Sequence, residues 1–223
     1  MRVITPEAIL SYPNLFEPRA ITEGATPKYS ASLVFPEDAD LSELEKAAAK
    51  VLKEKFGKKA DALLKKVVAR RNGENTEGEL KANGLRWPIR TDNDSKGYPE
   101  GSRFFGARSE RAPQIVTAIP DENGRPSKLE DRSKVYPGVI VRASLDAYAY
   151  DVSGNRGVTF GLGNIQILRD GERLDSKVNA EAEFEADPDA VADLSDLTSE
   201  DPAAADGADE DEQEGDDLSA LLG

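Results

Sequence analysis

The sequence predicts a mainly β protein: a small Greek-key-like barrel with a helical insertion, followed by a disordered acidic C-terminal tail. Three observations carry that expectation. Short β-prone runs fill residues 2–36 and 86–168, a helical period occupies 40–71, and periodicity stops near Val178. Two groups of strands around one helical stretch, without strand and helix alternating, favour a barrel over a wound parallel sheet. The expected division is a folded domain over 1–178 and a tail over 179–223.

From Arg2 to Pro36 the β-prone runs are punctuated by proline and glycine, and KYSASLVF (28–35) is the clearest of them. There Tyr29, Ala31, Leu33 and Phe35 fall on one face and Lys28, Ser30 and Ser32 on the other, the pattern of a half-buried strand. Asp40 with Glu43 three residues on resembles a capping box. Leu41, Leu44, Ala48, Val51, Leu52 and Phe56 then recur at helical spacing, Gly57 interrupts, and Leu63, Leu64, Val67 and Val68 mark a second helix. The cluster Lys58, Lys59, Lys65, Lys66, Arg70 and Arg71 reads as a solvated helix face that can steer a polyanion at long range.

Strand patterns return in RWPIR (86–90), RFFGARS (103–109) and PQIVTAIP (113–120). In GVIVRASLDAYAYD (138–151), Val139, Val141, Ala143, Leu145 and Ala147 alternate with Ile140, Arg142, Ser144, Asp146, Tyr148 and Tyr150. One face is apolar and the other is decorated. SGNRG (153–157) supplies a turn, GVTFGLGNIQIL (157–168) returns, and RDGER (169–173) closes the sheet with Asp-Gly turn chemistry.

Composition removes whole classes of chemistry. With no cysteine and no histidine, the chain has no disulfide framework, no thiolate zinc site and no Ser-His-Asp triad. No cofactor or metal site is expected, and the chain reads as no enzyme. TDNDSKGYPEGSR (91–103) places Asp92, Asp94 and Gly97 like a calcium loop, but Lys96 and Arg103 stand where ligands are required. GLGN (161–164) neither completes a dinucleotide fingerprint nor opens a helix. Scattered acids could in principle hold magnesium for a nuclease, but no compact acidic motif appears at an apolar strand end. The N-terminus lacks a signal-peptide pattern and no 18-residue apolar run occurs, so no membrane contact and a cytoplasmic location are expected.

Charge divides the chain. All 29 Lys and Arg lie at or before Lys177, whereas 17 of the 43 acids lie at or after Glu181. Residues 1–180 thus hold 29 bases against 26 acids, a net of +3. The 45 residues from 179 to 223 contain 17 acids and no base, too polar to bury a core.

In the body, arginines and aromatics recur together in strand-like segments: Arg86, Trp87 and Arg90; Tyr98, Arg103, Phe104, Phe105 and Arg108; Arg142, Tyr148 and Tyr150. Single-stranded nucleic acid is held by such sets, because bases stack on flat side chains and phosphates need cations. In any β protein many aromatic rings also fill the core. The candidate contacts are Tyr12, Tyr29, Trp87, Arg90, Phe105, Arg142, Tyr148 and Tyr150. A polyanion tethered beside such a groove competes with loosely held nucleic acid. Asp216, Asp217, Leu218, Leu221 and Leu222 add an acidic segment with an apolar end suited to a partner's basic-rimmed pocket.

SYPNLFEPRA (11–20), PKYSASLVFP (27–36) and VYPGVIVRASLDAYAYDVSGNRGVTFGLGNIQILRDGERL (135–174) resemble a phage and prophage family of single-stranded DNA-binding proteins. The resemblance spans about residues 3–175. It implies an OB fold, similar in architecture to the single-stranded DNA-binding protein of T7-like phages. It also implies a role in phage replication and recombination, and an acidic tail that contacts replication or recombination proteins and shields the DNA groove. The bacterial tail pattern ends in an aromatic, whereas this chain has LSALLG. The alternative from the residues is an acidic DNA mimic or chaperone-like protein that binds basic partners, and homo-oligomerisation stays open.

Overall fold

In a computed structural model that describes residues 1–20, 22–71, 84–91 and 97–174, with backbone alone at 70 and 71, strands form where the alternation is strongest. The first three are β1 (Arg2–Ile4), β2 (Ala8–Arg19) and β3 (Lys28–Phe35). Two helices follow, α1 (Ser42–Phe56) and α2 (Lys58–Arg71). Then come β4 (Arg103–Ser109), β5 (Ile115–Pro120), β6 (Pro126–Lys128), β7 (Ile140–Val152) and β8 (Asn155–Arg169). The acidic residues 179–223, with Asp216, Asp217, Leu218, Leu221 and Leu222, lie outside the described residues, as do Asp92, Asp94 and Lys96 of the rejected calcium loop.

β7 pairs with β2 and β8, β2 with β3, β3 with β4, and β4 with β8, so five strands close on themselves. The β4–β8 pair is parallel and the other four are antiparallel. This is an OB-like barrel, mainly β, with the helices inserted between β3 and β4. β1 adds to β7, and β5 with β6 extends the sheet beyond β8.

Parity decides what enters the barrel. Val141, Ala143, Leu145 and Ala147 of β7 are buried, whereas Arg142, Asp146 and Tyr148 are exposed. Phe105 stacks on Phe35 with centroids 5.4 Å apart and tilts against Phe160 at 4.6 Å, forming an aromatic centre. Burying each such side chain contributes about 1.5–3 kcal/mol. Leu44, Ala47, Ala48 and Leu52 of α1, with Ala60, Leu63 and Val67 of α2, join the same core.

Local departures from the sequence pattern have physical causes. α1 begins at Ser42, with Leu41 rather than Asp40 in the cap position, because the Asp40 carboxylate accepts from the Ser42 N–H at 2.9 Å in a turn just upstream. That bond, with Lys46 and Arg103 nearby, holds the Asp40 carboxyl below its usual range. Gly57 ends the helix at φ +53, its N–H donating to the Lys53 carbonyl. The β7–β8 turn is two residues, Ser153 and Gly154, both at positive φ, so Asn155 and Arg156 belong to β8 rather than to a loop.

Candidate nucleic-acid interface

The outward face of the barrel collects the polar and aromatic residues that parity excludes from the core. On β7 these are Arg142, Asp146, Tyr148 and Tyr150. Tyr148 pairs with Thr159 and Tyr150 with Gly157 on β8, and Gly161 of β8 pairs with Arg108 of β4. A Cβ placed at Gly161 would lie 3.5 Å from Tyr148 Cε1, so the tyrosine ring rests over a backbone floor. Gly106, the next outward position on β4, is exposed and has open space above it.

The segment before β4 completes this face. Leu85, Trp87 and Ile89 turn inward while Arg86, Pro88 and Arg90 turn outward. Its backbone lies against β8: the Arg86 N–H donates to the Arg156 carbonyl at 2.8 Å and the Val158 N–H to the Arg86 carbonyl at 3.0 Å. Gly157, at φ +155, permits that approach, since a Cβ there would collide with the Arg86 carbonyl oxygen. Arg86 thereby sits near Tyr150, whose phenol pKa is pushed up by burial, with Arg86 opposing and Tyr148 adding to the rise. The result is a line of Arg86, Tyr150, Tyr148 and Arg108 along neighbouring strands. Neither arginine has a carboxylate partner among the described residues.

A second aromatic group lies across β4, β3 and β2. Tyr98 packs edge-on against Phe104 at 5.2 Å, and the Arg90 guanidinium lies 5.1 Å from the centre of the Phe104 ring. The Tyr98 hydroxyl donates to Ser11 Oγ at 3.2 Å, and its pKa is raised by burial. Tyr12 is 61% exposed, at φ +45, where the β2–β3 register shifts between Ser11 and Asn14. Bulges of this kind re-aim a side chain out of a sheet. Tyr12, Pro13, Asn14, Arg19, Ala20 and Ser30 line a polar cleft of about 390 Å³ beside it.

Two predicted contacts need correction. Phe105 is 1% exposed and sits between Phe35 and Phe160, so no base can reach it. Trp87 is 6% exposed, because in an extended segment it points opposite to Arg86 and Arg90. Tyr29 is half-buried on the inward face of β3, and Arg142 is shared with Glu7 at 3.8 Å, six residues from Tyr148, about 20 Å along the strand. Arg86, Tyr98 and Arg108 fell within the sequence pattern but outside the predicted contacts. For Arg86 and Arg108 the alternation of their extended segments was the available signal; Tyr98 lies in a turn region and had none.

A family model described as the Enterobacter phage Enc34 ssDNA-binding protein matches residues 1–195. The chain belongs to that family. A relative named putative protein p50, from Acyrthosiphon pisum secondary endosymbiont phage 1, is 30% identical over 176 residues, covering 77% of this chain and 85% of its own. The single-stranded DNA-binding protein of bacteriophage Enc34, solved in complex with ssDNA, shares the fold at a TM-score of 0.50 and 18% identity, over 78% of this chain and 89% of its own. The gp2.5 single-stranded DNA-binding protein of bacteriophage T7 gives a TM-score of 0.48 at 13% identity, over 92% of this chain and 99% of its own. Among the described residues of this Enc34-family member, no helix is long and apolar enough to cross a membrane.

Proposed function

We propose that this protein coats and protects single-stranded DNA, largely without sequence preference, during phage replication or recombination in the host cytoplasm, and that it is not an enzyme. The observation that carries the reading is the line of Arg86, Tyr150, Tyr148 and Arg108, where two partly exposed phenol rings lie between two arginines that have no carboxylate partner among the described residues. Bases stack on the rings, at about 1–3 kcal/mol per base, and the guanidiniums neutralise phosphates. Tyr12 and Arg90 extend the track towards β2 and the segment before β4. The residues 179–223 form a separate acidic tail that shields this face and recruits replication or recombination proteins. Family membership supports the same ligand.

Titrating fluorescent oligo-dT with the full chain, and with a chain stopped at Val178, at two salt concentrations tests the proposal. Both should bind, the shorter chain more tightly and with a steep loss of affinity as salt rises. Binding by neither would overturn the reading and leave the acidic residues as the active part, as in a DNA mimic. Equal preference for duplex would overturn the single-strand assignment.

A further inference from the structure

The polar cleft at the β2 bulge ends an outward row whose other end is the tyrosine line. Asn14 of β2 pairs with Ser30 of β3, Ser30 with Arg108 of β4, and Arg108 with Gly161 of β8, over which the Tyr148 ring rests. Three strand spacings, about 15 Å in all, separate Asn14 from Gly161 along this surface. Tyr12 is one of two non-glycine residues at positive φ among the described residues, and the other, Ser153, sits in a hairpin turn. A bulky residue adopts that conformation at a cost, and Tyr12 does not offset it by burial, because it stays 61% exposed where it lines the cleft.

The polar groups of the cleft are unevenly satisfied. Asn14 Nδ2 donates to the Tyr12 carbonyl at 3.4 Å and to Ser30 Oγ at 3.1 Å. A carbonyl only accepts, so these bonds fix which end of the amide is nitrogen and leave Oδ1 without a donor among the described residues. Ser30 accepts from Asn14 and keeps its own O–H to donate, and the exposed Arg19 makes no ion pair among the described residues. The cleft therefore gathers one amide acceptor, a hydroxyl donor and a guanidinium around about 390 Å³, beside the Tyr12 ring. Small-ligand sites ordinarily enclose about 300–1,000 Å³.

We propose that this cleft receives one base of the strand held on the sheet and reads the imide edge of thymine, an assignment that rests on the single-strand reading. An imide presents a central N–H between two carbonyls. Asn14 Oδ1 accepts that N–H, Ser30 and Arg19 donate to the carbonyl oxygens, and the base stacks on the Tyr12 ring. Adenine and cytosine carry a ring-nitrogen acceptor where thymine has its N–H, so they would set two acceptors against each other. Guanine turns an amino donor towards a donor of the cleft. One such reader among positions that only stack gives a modest thymine bias on an otherwise sequence-tolerant track.

The test compares oligo-dT with an oligomer of equal length built from N3-methylthymidine, which keeps the ring and both carbonyls but has no imide N–H. The full chain should bind the methylated strand about three- to tenfold more weakly, the loss expected for one hydrogen bond. Asn14→Ala should bind the two strands alike. Arg19→Ala, at an exposed position that does not endanger folding, should narrow the gap by weakening oligo-dT more than the methylated strand. Equal affinity of the unaltered full chain for both strands would overturn the thymine assignment while leaving the single-strand reading intact. A gap of full size in both variants would also overturn it, because the methyl group would then be sensed elsewhere. Binding to neither strand would overturn the single-strand reading and the cleft with it.

Discussion

The outward sheet face and the helical layer both present basic side chains, but they arrange them differently. On the sheet, arginines alternate with tyrosines on strands whose backbone is held by neighbours on both sides. On the helices, Lys58, Lys59 and Lys65 are exposed, and among the described residues no aromatic ring contact is found at any of them. On the proposed reading, positive charge alone does not mark a nucleic-acid surface. The distinguishing feature is a planar group held rigidly within reach of a guanidinium, which recognises a base and its phosphate together.

The strongest way to break this contrast is to disturb the two sides of the barrel wall, inward at Phe105 of β4 and outward at Tyr148 and Tyr150 of β7. Phe105→Ala removes the ring between Phe35 and Phe160 and should cost about 3–5 kcal/mol of stability, read by urea unfolding. DNA affinity of the folded fraction should stay nearly unchanged. Affinity lost without stability would mean that the inward face takes part in binding. The double change Tyr148→Ala and Tyr150→Ala should do the reverse, weakening single-strand binding by about 1–3 kcal/mol per stacked base with little change in melting temperature. Loss of folding would show these rings to be structural.

Much of this contrast is legible in the sequence, because parity is. The strands at 28–35 and 103–109 and the break at Gly57 follow from alternation and a helix-ending glycine. The split of β7 into an apolar and a decorated face is visible in GVIVRASLDAYAYD. Grouping Arg86, Trp87 and Arg90 as one cluster loses that information, since adjacent residues of an extended segment face opposite ways; Phe104 and Phe105 repeat the lesson. Other features needed the tertiary structure. The nearness of Arg86 to Tyr150, 64 residues apart in the chain, arises from the backbone bonds to β8 and from the absent side chain at Gly157. The outward turn of Tyr12 comes from a register shift that no composition rule announces.

Salt sharpens the comparison at a smaller scale. Each phosphate contact on a single strand contributes about 0.7 to the slope of log affinity against log salt. Arg108→Ala should lower the slope by roughly that amount and weaken binding uniformly across sequences, as measured with oligo-dT and mixed oligomers. Lys65→Ala, on the helical layer, should leave the slope within error. Equal losses for both would make the helices part of the DNA track.

The smallest expected effect is alkaline. Burial raises the phenol pKa of Tyr98 above its ordinary value near 10, and Ser11 and Ser32 only partly offset that rise through hydrogen bonds. The folded state therefore favours the neutral phenol more than the unfolded chain does. The stabilisation is fully present below pH 10 and is lost as pH rises through the elevated folded value. Tyr98→Phe should flatten this loss, because no phenol remains there to ionise. It should also lower stability at neutral pH by about 1 kcal/mol, since the nearly buried Ser11 hydroxyl loses a partner. Unfolding followed at pH 7 and again above pH 10 separates the two effects. An alkaline loss that is unchanged in the variant would place the sensitive group elsewhere, with Tyr150 on the arginine-flanked line the next to replace.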